Sequence, residues 1–395
     1  MNFPLSPTAI AYRVINDDAT LAVCCAQWRQ QSALALDTEF MRVTTFYPQA
    51  ALFQIADAEG VCLIDPLCIN DWEPLRAVMR DPQVVKVLHS CSEDLLVLQV
   101  CLGVMPAPLY DTQIAAAFLN EASAISYQNL VKLHAGIELP KGETRSDWLQ
   151  RPLSAEQLTY AALDVAYLLP LWERQCERLR QQGHLHWLQE DCARLVHQYD
   201  TEINADFSAY YLSFKGAWQF GPQQRAALQR LAAWREQRAR KRDKPRNWIL
   251  KDTALYGIAS VLPATRMQLR AIEEVSDNFI RFEGDQVLEL LQEARHLPEA
   301  DCPPPLPKPL NPGKQARLRR AQDYINVRAA ALDLPDEILA RKRLLLALYY
   351  ALETQTQAPA SALEVPQELL GWRAPLVLDD LKQLLAGAAA PVSTP

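Results

Sequence analysis

Apolar and polar residues follow two different patterns in the first half of the chain. Short apolar runs bounded by polar or turn-forming residues predict strands at 33–39, 51–57, 60–65, 84–88 and 108–110. Apolar residues three or four positions apart predict helices at 19–31, 71–80, 92–102, 111–119, 127–134 and 154–182. The segment Asp57-Ala58-Glu59-Gly60 predicts a hairpin turn, so the strands on either side of it should be antiparallel. This half is therefore predicted to be an α/β domain, a mixed sheet flanked by helices.

The strand pattern stops near residue 206, and the rest of the chain is predicted to be all-α. Amphipathic segments lie at 223–240, 251–272 and 284–295, and again at 314–331, 336–353 and 376–386. The proline-rich stretch from His296 to Pro309 predicts an extended, semi-rigid linker between the two groups. We therefore predict four segments, at 1–205, 206–298, 299–313 (the linker) and 314–390.

The composition is that of a soluble globular protein with more than one domain. The chain has 395 residues, of which 49% are hydrophobic and 22% are charged. No apolar run approaches the roughly 20 residues of a membrane span, and Met1 to Pro7 lack the layout of a secretory signal. The nine cysteines include no Cys-x-x-Cys pair, which predicts reduced core residues rather than disulfides or zinc ligands. We expect a cytoplasmic protein with no membrane association.

The net charge of −7 conceals an asymmetry between the two halves. Residues 1–210 carry a net charge of −12, and residues 211–395 carry +5. One interpretation is a division of labour, in which the acidic half concentrates metal ions and the basic half binds phosphate. The alternative is ordinary variation in solvated surface charge.

Two carboxylates follow the apolar strand that starts at Leu34. Asp37 and Glu39 are two residues apart, so they should lie on the same face of that strand. Two like charges this close repel each other and resist ionisation unless a cation lies between them. A divalent metal is the usual cation, and the alternative is a strand-end pair that caps a neighbouring helix.

Two further acids are predicted at helix positions near the same end of the sheet. Asp94 lies in the first turn of a helix that Ser92 could cap, where its alternative role is to interact with the helix dipole. Tyr160 and Asp164 are four residues apart, which places them on one face of a helix. Ser154 and Gln157 have the spacing of a capping box at the start of that helix. The alternative for Tyr160 is a core aromatic.

These motifs together resemble a known enzyme family. Asp37-Thr38-Glu39-Phe40, His89 to Leu95 and Tyr160 to Asp164 resemble the three exonuclease motifs of the DEDD superfamily, and the tyrosine resembles its DEDDy branch. The run from Lys141 to Leu153, with Asp-Trp-x-x-Arg-Pro-Leu, resembles ribonuclease D and its Werner-type relatives. Arg246-Asn247-Trp248-Ile249-Leu250 and Leu262-Pro263-Ala264-Thr265 resemble HRDC domains, and the segment at 314–390 resembles a second, diverged one.

The resemblance implies a fold, a mechanism and a cofactor. It implies a ribonuclease H-like exonuclease domain followed by two HRDC-like domains. It implies two divalent metal ions, Mg²⁺ or Mn²⁺, with Asp37 bridging both, Glu39 and Asp164 completing one site and Asp94 the other. Tyr160 would orient the attacking water, since a phenol with a pKa near 10 is a poor base at neutral pH.

Several residues are candidates for RNA contacts. Phe40 and Tyr47 could stack on terminal bases or pack under a loop, and Gln54 and Arg145 could reach the substrate. The densest basic cluster contains Arg240, Arg242 and Lys244, with Trp234 and Trp248 on either side. Basic residues interleaved with aromatics suit a flexible RNA strand, although a solvated helix face with two core tryptophans fits the same pattern.

The predicted activity is that of a monomeric 3′→5′ exoribonuclease. It would release 5′-monophosphate nucleotides from RNA 3′ ends, and the resemblance implies that tRNA precursors are the substrates. One alternative is a 3′→5′ DNA exonuclease on the same fold. Another is a non-catalytic RNA-binding scaffold, against which the complete set of acids argues.

Overall fold

The computed structural model describes residues 10–140, 142, 146–203, 207–357 and 363–387. Its contacts divide the chain into two compact units. The first unit contains the chain up to Met41, Gln49–Glu202 and the chain from Leu310 onward. The second unit contains Arg42–Pro48 and Ile203–Pro309. The four segments at 1–205, 206–298, 299–313 and 314–390 remain a prediction about domains. The contacts group the chain differently, since they place the residues from Leu310 onward in the same unit as the first segment.

The first unit is built on a six-stranded sheet, among the residues described. The strands are β1 (Tyr12–Ile15), β2 (Ala33–Met41), β3 (Gln49–Ala56), β4 (Val61–Ile64), β5 (Val85–Leu88) and β6 (Leu109–Asp111). Their order across the sheet is β1-β4-β3-β2-β5-β6. β3 is antiparallel to both β2 and β4, whereas the other pairs are parallel. The predicted mixed sheet and the hairpin at Asp57 are therefore confirmed.

Helices surround this sheet. They are α1 (Asp18–Trp28), α2 (Glu73–Arg80), α3 (Ser92–Leu102), α4 (Thr112–Phe118), α5 (Tyr127–Ala135), α6 (Ala155–Ala166), α7 (Leu168–Gln181) and α8 (Leu185–Ile203). The single helix predicted at 154–182 is wrong, because the chain breaks at Tyr167 between α6 and α7. Pro170 accounts for the break, since its ring clashes with the carbonyl four residues earlier.

The described residues of the second unit contain helices and no strand, and the short segment Arg42–Pro48 is neither helix nor strand. Its helices are α9 (Pro222–Arg242), α10 (Arg246–Ile249), α11 (Asp252–Val261), α12 (Arg266–Arg270) and α13 (Asp277–His296). Leu228, Leu231 and Trp234 of α9 are buried in its core. The backbone N–H groups of Phe46 and Tyr47 both donate to Oδ1 of Asp243 at 2.9 Å, which fixes the short segment within this unit.

The C-terminal helices belong to the first unit. They are α14 (Pro312–Ala331), α15 (Asp336–Leu339), α16 (Lys342–Gln357) and α17 (Asp379–Ala386). Arg373 donates to both oxygens of Asp191 in α8, at 2.7 and 2.6 Å, and both side chains are buried. The ring of Trp372 stacks on Trp187 with centroids 4.5 Å apart. Buried polar and aromatic contacts therefore join the C-terminal helices to α8 of the first unit.

No helix in the described part of the chain combines the length and the apolar character that crossing a membrane requires.

Candidate metal centre

The central strand β2 presents two of the predicted acids. Asp37 pairs with Gln54 of β3, and Glu39 pairs with Leu52, just before an irregularity in the register at Phe40. The alternation of a strand places Asp37 and Glu39 on one face. One carboxylate oxygen from each of Asp37, Glu39 and Asp164 lies within 4.8 Å of the others. The structure therefore brings together acids that are more than 120 positions apart in the sequence.

Helix α6 supplies Asp164 and Tyr160. Its first turn has the predicted capping box, in which Ser154 Oγ accepts from the Gln157 N–H at 3.1 Å and Gln157 Oε1 accepts from the Ser154 N–H at 2.9 Å. Tyr160 lies one turn before Asp164 on the same face of the helix, and its phenol lowers the pKa of the Asp164 carboxyl, against the larger effect of burial. The fixed start of α6 thus sets both side chains on the face directed at β2.

Asp94 lies beside the three-acid group. Its Oδ1 accepts from the hydroxyl of Thr38 at 2.6 Å, so β2 itself orients the side chain. The predicted cap by Ser92 is wrong, because α3 begins at Ser92 and no side chain caps its start. Instead, Asp111 accepts from the N–H groups of Ser90 and Cys91, at 3.1 and 2.9 Å, and holds the turn that leads into α3.

The four acids oppose one another's ionisation. Burial raises the pKa of Glu39 to about 9, and the charges of Asp164 and Asp94 add to the effect. Burial also raises the pKa of Asp164 to about 7 and that of Asp94 to about 7. For Asp37, burial and the charges of Asp94, Asp164 and Glu39 raise the pKa well above its usual value. Bringing four such groups together is unfavourable without a compensating positive charge.

No lysine, arginine or histidine in the described ranges forms a salt bridge with any of these four acids. The donor set consists only of carboxylate oxygens, which is the preference of hard divalent cations such as Mg²⁺ and Mn²⁺. The residues present therefore fit divalent metal ions, and the positive charge that the cluster lacks is the charge such ions carry.

Two residues that the sequence reasoning did not select enclose the Tyr160 ring. A Cβ added to Gly142 would lie 1.6 Å from Cε2 of Tyr160, so only glycine allows the backbone to lie against the ring. The buried ring of Trp148 lies near Tyr160, with centroids 6.0 Å apart. The Gly142 and Trp148 positions fall within the run that resembles ribonuclease D, and that run was the available signal.

The predicted RNA contacts differ in their surroundings. Phe40 is partly buried on β2, and Tyr47 is partly buried within the second unit. Gln54 is fully buried, and neither atom of its amide has a hydrogen-bond partner, so its side chain is not presented to a nucleotide. Arg145 lies outside the described residues.

The basic cluster is largely neutralised within the second unit. Arg240 donates to the buried Glu236 at 2.9 Å, and Arg242 pairs with the buried Glu283. Lys244 is exposed and lies beside Trp248. Two of the three named cations of the cluster are therefore paired with carboxylates, and the third, Lys244, forms no ion pair among the described residues.

Two other polar residues near the acids have structural partners. His89 bonds Thr112 Oγ1 at 2.9 Å and the Ile125 carbonyl at 3.0 Å, and burial lowers its pKa. Arg151, considered above as part of the motif run, makes a two-point ion pair with Asp65 at 2.6 and 2.7 Å. Both side chains therefore support the fold around the site.

Two protein-family profiles match the chain. A profile described as 3′-5′ exonuclease matches residues 12–179, which include all four acids and Tyr160. A profile described as HRDC domain matches residues 224–291, within the second unit.

Named relatives match nearly the whole chain. Ribonuclease D of Pseudomonas paraeruginosa is 44% identical, and the alignment covers 93% of this chain and 95% of that protein. Ribonuclease D of Escherichia coli is 36% identical over 95% of this chain and 98% of that protein.

Solved structures give the same result for the fold. The crystal structure of Escherichia coli RNase D, described as an exoribonuclease involved in structured RNA processing, superposes with a TM-score of 0.86 and 35% identity. The match covers 95% of this chain and 99% of that chain. The catalytic core of RRP6 from Trypanosoma brucei, at 22% identity and a TM-score of 0.56 over 74% of this chain and 82% of that chain, shares the fold.

Proposed function

The chain belongs to the ribonuclease D family and is a 3′→5′ exoribonuclease, and from this premise we propose that it removes 5′-monophosphate nucleotides one at a time by two-metal-ion phosphodiester hydrolysis. The observation that carries the proposal is the cluster of Asp37, Glu39 and Asp164, with Asp94 beside it and no cationic side chain paired to it within the described residues. Such a cluster is fully ionised at neutral pH only when cations bind it.

The four acids divide naturally between two divalent ions, Mg²⁺ or Mn²⁺. Asp37, whose charge interacts with all three others, would contact both ions. Glu39 and Asp164 would complete one site and Asp94 the other. When bound, the ions would activate water and stabilise the leaving 3′-oxygen. The protein's own contribution is to hold these oxygens in place, through strand alternation for Asp37 and the Thr38 hydrogen bond for Asp94.

Tyr160 would orient the attacking water without removing its proton. Burial raises the pKa of the phenol above its ordinary value near 10, and the charges of Asp164 and Glu39 raise it further. The phenol therefore keeps its proton at neutral pH. Its oxygen remains able to accept a hydrogen bond from water, and Gly142 and Trp148 restrict the ring position.

We propose precursors of tRNA as the substrates, acted on by a monomer in the cytoplasm. The support is the family and the description of the Escherichia coli enzyme as one involved in structured RNA processing. Phe40, Tyr47 and Lys244 remain proposed RNA contacts, as does Arg145. Arg240 and Arg242 would contribute less, because each is paired with a glutamate.

A direct assay tests the activity, the metal requirement and the substrate together. End-labelled tRNA precursor and matched single-stranded DNA are incubated with the protein in Mg²⁺ or in EDTA. We expect stepwise shortening of RNA from its 3′ end and none in EDTA. Asp37→Asn should abolish shortening but retain RNA binding, and Tyr160→Phe should lower kcat strongly.

Each other outcome points to a different conclusion. A preference for DNA would favour a DNA exonuclease, and binding without shortening would favour a scaffold. Full activity of Asp37→Asn would refute the assigned role of that residue.

A further inference from the structure

An exposed tryptophan lies on the surface of the second unit. Trp248, in α10, is 61% exposed, whereas Trp234 in α9 is 5% exposed. The residues after Trp248, Ile249 and Leu250, are buried, and its own N–H donates to the Pro245 carbonyl at 2.8 Å. Buried neighbours thus anchor a short helix that holds a large apolar ring at the surface.

One lysine lies beside this ring, and another lies three residues before that lysine in the sequence. The ammonium of Lys244 lies 5.8 Å from the ring centroid and donates to the Thr44 carbonyl at 3.4 Å. Lys241 is exposed and forms no ion pair among the described residues. The nearest acid in sequence, Asp243, already accepts two backbone N–H groups. An anionic ligand is therefore favoured on this surface.

The three residues before Trp248 line a cavity of about 600 Å³, together with Arg42 and Thr45. Arg42 and Asn247 are exposed and bring hydrogen-bond donors to it. A cavity of this volume lies within the range of pockets that take small ligands, and a nucleotide is of that size. The lining also includes the ion pairs of Arg235 with Asp252 and of Arg246 with Glu236, which leaves Arg42 as the lining arginine with no carboxylate partner among the described residues. A polar cavity beside the residues that precede the exposed ring suits one nucleotide of a flexible strand.

We propose that Trp248 is a base-stacking platform for single-stranded RNA, with Lys244 pairing with a phosphate next to the stacked base. Stacking on an aromatic ring accepts any base, because every base has a π-face. This inference rests on the proposed function in taking RNA as the ligand, and it goes beyond it by placing a contact in the helical unit. The basic cluster then acts through Trp248 and Lys244, since buried glutamates take up the charges of Arg240 and Arg242.

A second exposed aromatic in the same unit provides a matched control. Phe282 is 63% exposed, and the guanidinium of Arg281 lies 5.4 Å from its ring centroid. Its sequence neighbours include the exposed Asp285, so the local charge is less favourable to a phosphate. Trp248 and Phe282 are thus similar in exposure and in having a cation beside the ring, and they differ in the other charges nearby.

The test measures RNA affinity of the full-length protein in EDTA, where no cleavage occurs. Anisotropy of a fluorescein-labelled uridine 12-mer is followed for the wild type, Trp248→Ala, Trp248→Phe and Phe282→Ala. We expect Trp248→Ala to weaken binding about tenfold, Trp248→Phe to restore most of it, and Phe282→Ala to bind as the wild type does. Lys244→Met should lower the dependence of log K on log salt by about 0.7, the value for one phosphate contact, whereas Trp248→Ala should leave it unchanged.

Equal affinity of Trp248→Ala and the wild type would overturn the proposal and leave the ring as a surface for a protein partner. Hydrolysis of an RNA dinucleotide in Mg²⁺ separates this result from a failure of the proposed activity. The wild type and Phe282→Ala should both hydrolyse the dinucleotide. If the wild type hydrolyses no RNA at all, the activity is refuted, and the binding measurement in EDTA still decides the stacking role.

Discussion

Replacing Asp164 with asparagine should stabilise the metal-free protein at pH 8 and abolish hydrolysis. The pKa of Asp164 is about 7, and an ordinary aspartate titrates near 4. The folded state therefore binds this proton more tightly than the unfolded state does. The stability associated with the group is fully present below about pH 4 and is lost as pH rises towards about 7.

The magnitude follows from the pKa. Each pH unit corresponds to about 1.4 kcal/mol, so ionising Asp164 at pH 8 costs at most about 4 kcal/mol. Screening at a partly exposed carboxylate reduces the expected gain to about 1–2 kcal/mol. For a unit of this size that gain raises Tm by about 3–6 °C. The gain should shrink at pH 5, where the wild-type carboxyl is already protonated in the folded state.

Asp191→Asn is the matched control for this measurement. Asp191 is a buried aspartate of the same unit, but Arg373 and Arg194 donate to it. Burial alone would raise the pKa of Asp191, yet the hydrogen bonds and charge of Arg373 lower it overall. Its replacement leaves buried arginine charge uncompensated and should cost about 3–5 kcal/mol.

The assay is thermal unfolding in EDTA at pH 5 and pH 8, repeated with Mg²⁺. Opposite signs for the two variants at pH 8 are expected, and Mg²⁺ should raise the Tm of the wild type much more than that of Asp164→Asn. A lower Tm for Asp164→Asn at pH 8 in EDTA would refute the electrostatic account of the site.

Three further predictions concern the same site. Gly142→Ala should lower kcat about 100-fold by displacing the Tyr160 ring, and it should retain Mn²⁺ affinity. The control is Gly313→Ala, whose added Cβ would lie 3.5 Å from its nearest neighbour and which should have normal activity. Equal kcat values for the two variants would contradict the packing of Gly142 against the ring. Gln54→Met removes a buried amide that has no hydrogen-bond partner, so it should raise the free energy of unfolding by about 1–3 kcal/mol and with it the Tm in EDTA. A lower Tm would show that the amide does form hydrogen bonds. Mn²⁺ affinity should rise between pH 6 and 9, because a Glu39 carboxyl with a pKa of about 9 must release its proton before it binds the metal. Calorimetry in buffers of different ionisation enthalpy should detect the released proton. An affinity that does not change with pH would contradict the raised pKa.

Local rules explain why much of the site could be predicted from the sequence. Strand alternation places Asp37 beside Glu39, helical periodicity places Tyr160 beside Asp164, and the Ser154 capping box fixes the helix start. Each of these depends on residues no more than four positions apart. The mixed sheet and the hairpin at Asp57 follow from equally local signals.

What the sequence did not predict depends on contacts between distant residues. The apolar pattern gives no sign that Gly142 lies against the Tyr160 ring, or that Gln54 is fully buried. Trp234 and Trp248 flank the same basic cluster, and only the packing of α9 and α10 separates the buried ring from the exposed one. Strand β1 was also missed, because it has four residues at an edge of the sheet and only one of them is buried.

The grouping of the C-terminal helices with the exonuclease fold has a consequence for proteolysis. The second unit is an insertion, since the chain leaves the first unit before it and returns to the first unit after it. A protease that nicks the chain near Pro305 would cut one covalent connection, while the buried pair of Arg373 and Asp191 and the stack of Trp372 on Trp187 would remain. The two fragments should therefore co-elute on size-exclusion chromatography. Residues 1–300 expressed alone should aggregate, because Trp187 would lose the ring of Trp372 that stacks on it.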